Sequence, residues 1–170
     1  MTSSTMFWIA RAMYSRLAVA LVGSLSLLWS GILVAQERPL ERPSGPTHKV
    51  AIHVDDNDAR VMNLALNNAR NVLEYYHSKG ETVAIDIVTY GPGLHMLRAD
   101  TSPVKQRIAE MSLAAPELSF SACANTRTGM SKQEGKDVPL ISEARVVPSG
   151  VIRLIDLQEK GYAYIRPSGR

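Results

Sequence analysis

Five short apolar runs separated by helix-patterned stretches leave this chain few folds to choose from. KVAIHV at 49–54, ETVAIDIVTY at 81–90, LSFSA at 118–122, ARVV at 144–147 and YAYI at 162–165 all have strand length. They are β-branched or aromatic, or alternate apolar with polar residues as Leu118, Phe120 and Ala122 do with Ser119 and Ser121. Between the first two, Met62, Leu66, Ala69, Leu73 and Tyr76 recur at three or four, which predicts a helix over 59–79 closed by Gly80. Asp55, Asp56, Asn57 and Asp58 precede it as helix-capping residue types. Gly91-Pro92-Gly93 forces a turn before a short helix at 94–99, and Pro103 is suited to the first turn of a helix over 103–113. A short polar helix is expected at 124–132 and a surface loop at 133–140. Val151, Ile152, Leu154, Ile155 and Leu157 build a last helix that Gly161 stops. Strands that alternate with helices run parallel, joined by right-handed crossovers and covered on both faces. The expected architecture is α/β, a three-layer α/β/α flavodoxin-like fold with a mainly parallel sheet.

The body expected to carry this fold is 49–168, one domain. Ahead of it, residues 1–35 carry Arg11 and Arg16 and then an apolar run from Leu17 through Leu33 and Val34 to Ala35, the layout of a secretory signal. Ala35 offers a small residue before a cut ahead of Gln36, although Leu33 departs from the usual small-residue pattern. The run also approaches the roughly 20 residues that span a bilayer, so retention as an anchor is the alternative to removal. Both outcomes put the domain outside the cytoplasm, periplasmic or secreted in one case and membrane-anchored in the other. No cysteine near the cut allows lipid attachment, and Pro39, Pro43 and Pro46 make 36–48 a semi-extended linker. Without 1–35, 17 basic side chains face 16 acidic ones, a formal net charge of +1. That balance gives no basic face for phosphates, and no nucleic-acid partner is expected. Membrane contact is expected only through an uncleaved leader.

The chain has one cysteine, Cys123, so no disulfide within it staples the domain. In open parallel sheets ligands gather outside the carboxyl ends of the strands. Those ends carry His53, Asp55 and Asp56; Tyr90, Gly91 and Gly93; Cys123 and Asn125; Pro148, Ser149 and Gly150. A thiol that ends a strand just before a helix feels unpaired backbone N–H groups and the helix dipole, both of which favour thiolate. Cys123 is therefore a candidate nucleophile, with two other readings open: a buried, inert apolar residue, or a link between chains. The others have structural readings as well. His53 suits a hydrogen-bonded strand position, Asp55 to Asp58 suit caps, Tyr90 to Gly93 suit a turn, and Ser149 suits a cap. A metal held by His53, Asp55, His95 and Cys123 lacks any short-range ligand spacing, and no metal is expected. No G-x-G-x-x-G, phosphate-loop lysine motif or G-x-S-x-G elbow occurs, so no cofactor is expected and a serine hydrolase is set aside.

KVAIHV at 49–54, TYGPGL around Tyr90 to Leu94, FSACANT at 120–126 and VVPSGVIRLIDLQEKGYAYIRP at 146–167 together resemble the DsrE/DsrF-like (YchN-like) family. The resemblance implies a flavodoxin-like subunit that assembles as a homotrimer or homohexamer. Some such proteins carry sulfur as a cysteine persulfide between a donor and an acceptor protein, and Cys123 stands at the position similar to their carrier. The function the resemblance implies is that of an extracytoplasmic protein handling sulfur or thiols in the manner of a sulfurtransferase or sulfur carrier, with Cys123 as nucleophile. Asn125, His53, Asp55, Tyr90, Gly91 and Ser149 are its candidate binding residues. The alternative is a non-catalytic binding or assembly protein whose cysteine is inert. Self-association is also expected from the sheet, because the aromatic run YAYI would be an unprotected edge.

Overall fold

The computed structural model describes residues 45–169; the leader at 1–35 and most of the 36–48 linker lie outside the described residues. Five parallel strands form one sheet: β1 (His48–Val54), β2 (Val83–Thr89), β3 (Leu118–Cys123), β4 (Ala144–Val147) and β5 (Ala163–Ile165), in the order β4-β3-β2-β1-β5. The helices are α1 (Ala59–Ser78), α2 (Lys105–Ala114), α3 (Ala124–Glu134) and α4 (Gly150–Glu159), with a 3-10 helix at Gly91–Leu97. The α/β, flavodoxin-like architecture expected from the alternation is the one observed, and its sheet is wholly parallel. Among the described residues no helix is long and apolar enough to cross a membrane.

The strand order decides which face each helix covers. From β1 to β4 the chain steps in one direction, and right-handed connections then place α1, α2 and α3 on one face. Reaching β5 reverses the step, so α4 lies on the other face, across β1, β2 and β3. The period-2 alternation of the strands follows this division. Val50, Ile52, Val54, Ile85, Ile87 and Phe120 pack with Met62, Leu66 and Ala69 of α1 into the main core. Ala51 and Val88 point the other way and form a small second cluster with Leu154 and Leu157 of α4, with Tyr90 and Tyr162 packed against it. Three further residues on that second face are polar yet buried, His53, Asp86 and Ser121.

Caps fix the element ends. Asp58 accepts the N–H of Arg60 at 2.7 Å ahead of α1, and Gly80 closes it at a φ of +69°. Several boundaries differ from the expected ones. The helix after Pro103 begins at Lys105, because buried Ser102 donates to the Met96 carbonyl at 2.6 Å and accepts the Val104 N–H, holding Pro103 in the preceding turn. α3 runs two residues beyond 132 and stops at Gly135, whose φ is +66°. The loop after it is tied down, with Val138 and Ile141 buried and the Ile141 N–H bonded to the Leu97 carbonyl. β5 starts at Ala163, since the Tyr162 N–H still bonds back to Leu157 at the end of α4.

Candidate functional site

Cys123 is the last residue of β3 and the N-cap of α3. An N-cap side chain accepts one of the four N–H groups that a helix leaves unpaired at its start, a task usually given to oxygen. Here sulfur performs it: Sγ accepts the N–H of Thr126, three residues on, at 3.4 Å. The N–H groups of Asn125 and of Gly150, the first residue of α4, also favour its anion. Two helix N-termini, from α3 and α4, therefore converge on one thiol, and both dipoles favour its anion. Burial is the largest single influence on Cys123 and pushes its pKa up. The Thr126 hydroxyl and N–H, followed by the N–H groups of Gly150 and Asn125, outweigh it together and bring the thiol below its ordinary range.

The surrounding glycines make this convergence possible. Gly91 opens the 3-10 helix at a φ of +51° and donates its N–H to the Thr126 hydroxyl at 3.0 Å. A Cβ on Gly150 would lie 2.7 Å from Cδ1 of Tyr90, so the tyrosine ring rests directly on the start of α4. Ser149 caps α4 through the Ile152 N–H at 3.5 Å and thereby sets where the Gly150 N–H points.

On its other side, the Tyr90 ring stacks on His53 with centroids 4.5 Å apart. His53 is buried; its Nδ1 bonds to the Tyr164 hydroxyl at 2.7 Å, while Nε2 has no hydrogen-bond partner and lies 3.8 Å from Asp55. Burial lowers the His53 pKa, Asp55 raises it in part, and Arg166 lowers it further, so the ring is neutral near pH 7. Asp55 is engaged by Arg166 through both carboxylate oxygens, at 3.0 and 2.9 Å. Burial opposes its ionisation, but the Arg166 bonds and the charges of His53 and Arg166 prevail and lower its pKa. Burial, then the charges of Asp55 and Tyr164, raises the pKa of Tyr90.

The candidate residues thus fall into two adjoining groups. Cys123, Asn125, Gly91 and Ser149 gather at the starts of α3 and α4, with the exposed Asn125 acting through its backbone. His53 and Asp55 belong to a polar cluster closed by Tyr164 and Arg166 from the end of the chain, and Tyr90 stands between the two groups. Thr126, Tyr164 and Arg166 were not anticipated as site residues, and Gly150 was placed at a strand end without a role of its own. Thr126 was within reach of the sequence, because the third helical residue is where an N-cap side chain bonds. His95 lies apart, bonded to the Thr101 carbonyl, and among the described residues no group of three or more His, Cys, Asp or Glu side chains is placed to hold a metal.

A groove of about 530 Å³ runs between the 3-10 helix and α3. Asn57, His95, Met130 and Gln133 line it, Arg98 is bridged to Asp100 and Glu134 in its wall, and Gly91 and Thr126 line it as well. Its volume is within the range of small-molecule sites.

A family model described as the DsrE/DsrF-like family matches residues 48–167. Among solved structures the chain is similar to MTH1491, a protein of unknown function from Methanobacterium thermoautotrophicum. The two share 32% identity over 71% of this chain and 99% of that one, with a TM-score of 0.60. A comparison with curated proteins gave no match.

Proposed function

This chain belongs to the DsrE/DsrF-like family, and from that premise we propose that it handles sulfur or thiols through Cys123, which accepts a sulfane sulfur and holds it as a persulfide. Family membership suggests a sulfur-related role. The finer reading is carried by one observation, the convergence of the Thr126, Asn125 and Gly150 N–H groups on a thiol whose pKa they lower. In the step proposed, the Cys123 thiolate attacks the terminal sulfur of a persulfide or polysulfide donor. A new S–S bond forms on Cys123, the donor's own S–S bond breaks, and the donor leaves as a thiolate, so no outside oxidant or reductant is consumed. The three N–H groups face the sulfur and orient the incoming chain. The donor or acceptor is a second protein or a small persulfide, and export by the apolar leader expected at 1–35 would carry the exchange outside the cytoplasm.

Intact-mass measurement after exposure to inorganic polysulfide tests this. The wild type is expected to gain the mass of one or more sulfur atoms, and Cys123→Ser none. Equal gain in both would remove Cys123 from the chemistry. The competing reading, a binding or assembly protein with an inert cysteine, draws support from the low exposure of Cys123, 4%. It requires that the folded thiol react with iodoacetamide no faster than the thiol of the denatured chain at every pH.

Assembly into a homotrimer or homohexamer is proposed on the outer face of α4. Val151, Ile152 and Ile155 stand there 45–55% exposed, and Tyr164 of the short edge strand β5 is half-exposed as well. Light scattering is expected to give a mass several times that of one chain at micromolar concentration; a monomer throughout that range would reject assembly.

A further inference from the structure

The three residues of β5 pair with β1 alone, Ala163, Tyr164 and Ile165 standing opposite Val50, Ala51 and Ile52. The chain then runs over the carboxyl end of β1 toward the start of α1, where Pro167 is buried and a Cβ on Gly169 would lie 3.2 Å from a methyl of Val61. Ile165 packs against the main core, and two polar attachments hold the rest. The Tyr164 hydroxyl bonds to Nδ1 of His53 at 2.7 Å, and Arg166 donates to both oxygens of Asp55 at 3.0 and 2.9 Å. An edge element this short, with few apolar contacts, belongs to the low-stability end of a fold. His53 cannot take up a proton without disturbing it. A neutral imidazole carries one hydrogen on its two nitrogens. Placed on Nδ1, that hydrogen would leave the bare lone pair of Nε2 3.8 Å from the Asp55 carboxylate; placed on Nε2, it sets a positive edge there, and the Tyr164 hydroxyl donates to Nδ1. The charges favour the second arrangement. A further proton then has to enter at Nδ1, the atom already accepting, and the hydroxyl hydrogen has to turn away.

We propose that residues 163–169 form a strap that acid releases from the carboxyl end of β1, with His53 as the group that takes up the proton. The new charge would arise on a ring only 4% exposed, whose Nε2 has no hydrogen-bond partner. Of the groups around it, Asp55 attracts that charge, but Arg166 occupies both of its oxygens and repels the ring. Tyr90 covers one face of the ring, and α4 turns its Arg153 to Asp86. Burial is the largest influence and lowers the His53 pKa, Asp55 offsets it in part, and Arg166 lowers it further. The ring therefore binds a proton more weakly under the strap than when exposed. Its contribution to the strap's hold is complete above about pH 6.5, the ordinary histidine value, and is lost as pH falls below it. Asp55, whose pKa is lowered, and Arg166, whose pKa is raised, keep their charges through that range. The strap stands apart from the chemistry of Cys123.

Amide hydrogen exchange of the full chain measures the opening of the strap, read by mass spectrometry on peptides covering 162–169 and corrected for the intrinsic pH dependence of exchange. Protection there is expected to fall roughly five- to tenfold from about pH 7.5 to about pH 5.5, close to the limit that one proton sets. His53→Gln keeps an acceptor for the Tyr164 hydroxyl and does not titrate, and it is expected to lose the fall. Arg166→Gln, at an exposed position, removes the repelling charge and frees Asp55 to pair with the imidazolium. Its protection is expected to fall by no more than about threefold over the same range. No fall in the wild type, or a fall of wild-type size in either variant, overturns the strap and leaves the reading of Cys123 untouched.

Discussion

Replacing Arg153 with alanine is expected to lower the unfolding free energy by about 3 kcal/mol, near the low end for breaking a buried ion pair. Arg153 projects from α4 onto Asp86 in the middle of β2, with Nη2 and Nε 2.6 and 2.9 Å from the same carboxylate oxygen. The Ser121 hydroxyl donates to that oxygen as well, and the other carboxylate oxygen is buried without a partner. Only 2% of the Asp86 side chain is exposed, so loss of the guanidinium strands a carboxylate between β2 and α4 beside Val88 and Leu154. Arg153 itself is 23% exposed, and water that follows it in keeps the loss from the upper end of the range. Exchanging both partners, Asp86→Leu with Arg153→Met, is expected to recover most of it. Urea unfolding at neutral pH measures each variant, and a loss under about 1 kcal/mol for the single change would mean that the pair is screened like a surface one. The same change is expected to raise the thiol midpoint of Cys123, since α4 carries the Gly150 N–H.

Gly93→Ala is expected to destabilise the fold by about 3 kcal/mol, the upper end of ordinary overpacking. A Cβ there would stand 2.2 Å from the Val54 carbonyl oxygen, 2.5 Å from its carbon and 2.8 Å from Cα of Asp55. All three are backbone atoms at the end of β1, so no rotamer change relieves the overlap. The 3-10 helix has to lift, and Gly91, two residues earlier, lifts with it and draws its N–H from Thr126. Gly129→Ala is the matched control. It lies within α3, a Cβ there would meet nothing within 4 Å, and it is expected to gain a few tenths to about 1 kcal/mol from reduced unfolded-state freedom. Thermal unfolding of the two variants checks the pair of predictions; a Gly93→Ala midpoint equal to wild type would show that the close approach is not rigid.

The strands and helices were legible because their signals are local. KVAIHV and the 3.6-residue spacing through Met62, Leu66, Ala69 and Leu73 hold whatever lies beside them. Cys123 could be placed at a strand end before a helix for the same reason. What the sequence withheld depends on strand order. That β5 lies beside β1 brings Tyr164 to His53 and Arg166 to Asp55, across 111 positions of chain. That α4 crosses the second face brings the Gly150 N–H to the thiol and Arg153 to Asp86. Asp86 sits within the β-branched run at 81–90, and nothing local announces that its face is covered. Pro103 misled because buried Ser102 organises the preceding turn more strongly than proline favours a first helical turn.

Among the described residues the first face of the sheet is shared among α1, α2, α3 and the 3-10 helix, while the second rests on α4 alone. A helix held by one ion pair, by Leu154 and Leu157 and by the packing of Tyr90 and Tyr162 is the one expected to detach first, at a free energy below that of global unfolding. Its departure would uncover Cys123 and withdraw one of the N–H groups that hold its charge, so the exposed thiol would be the less acidic one. Accessibility and nucleophilicity would then be set against each other in time: the sulfur would be most acidic in the state that hides it, and a partner that waits for the open state would meet a weaker thiol.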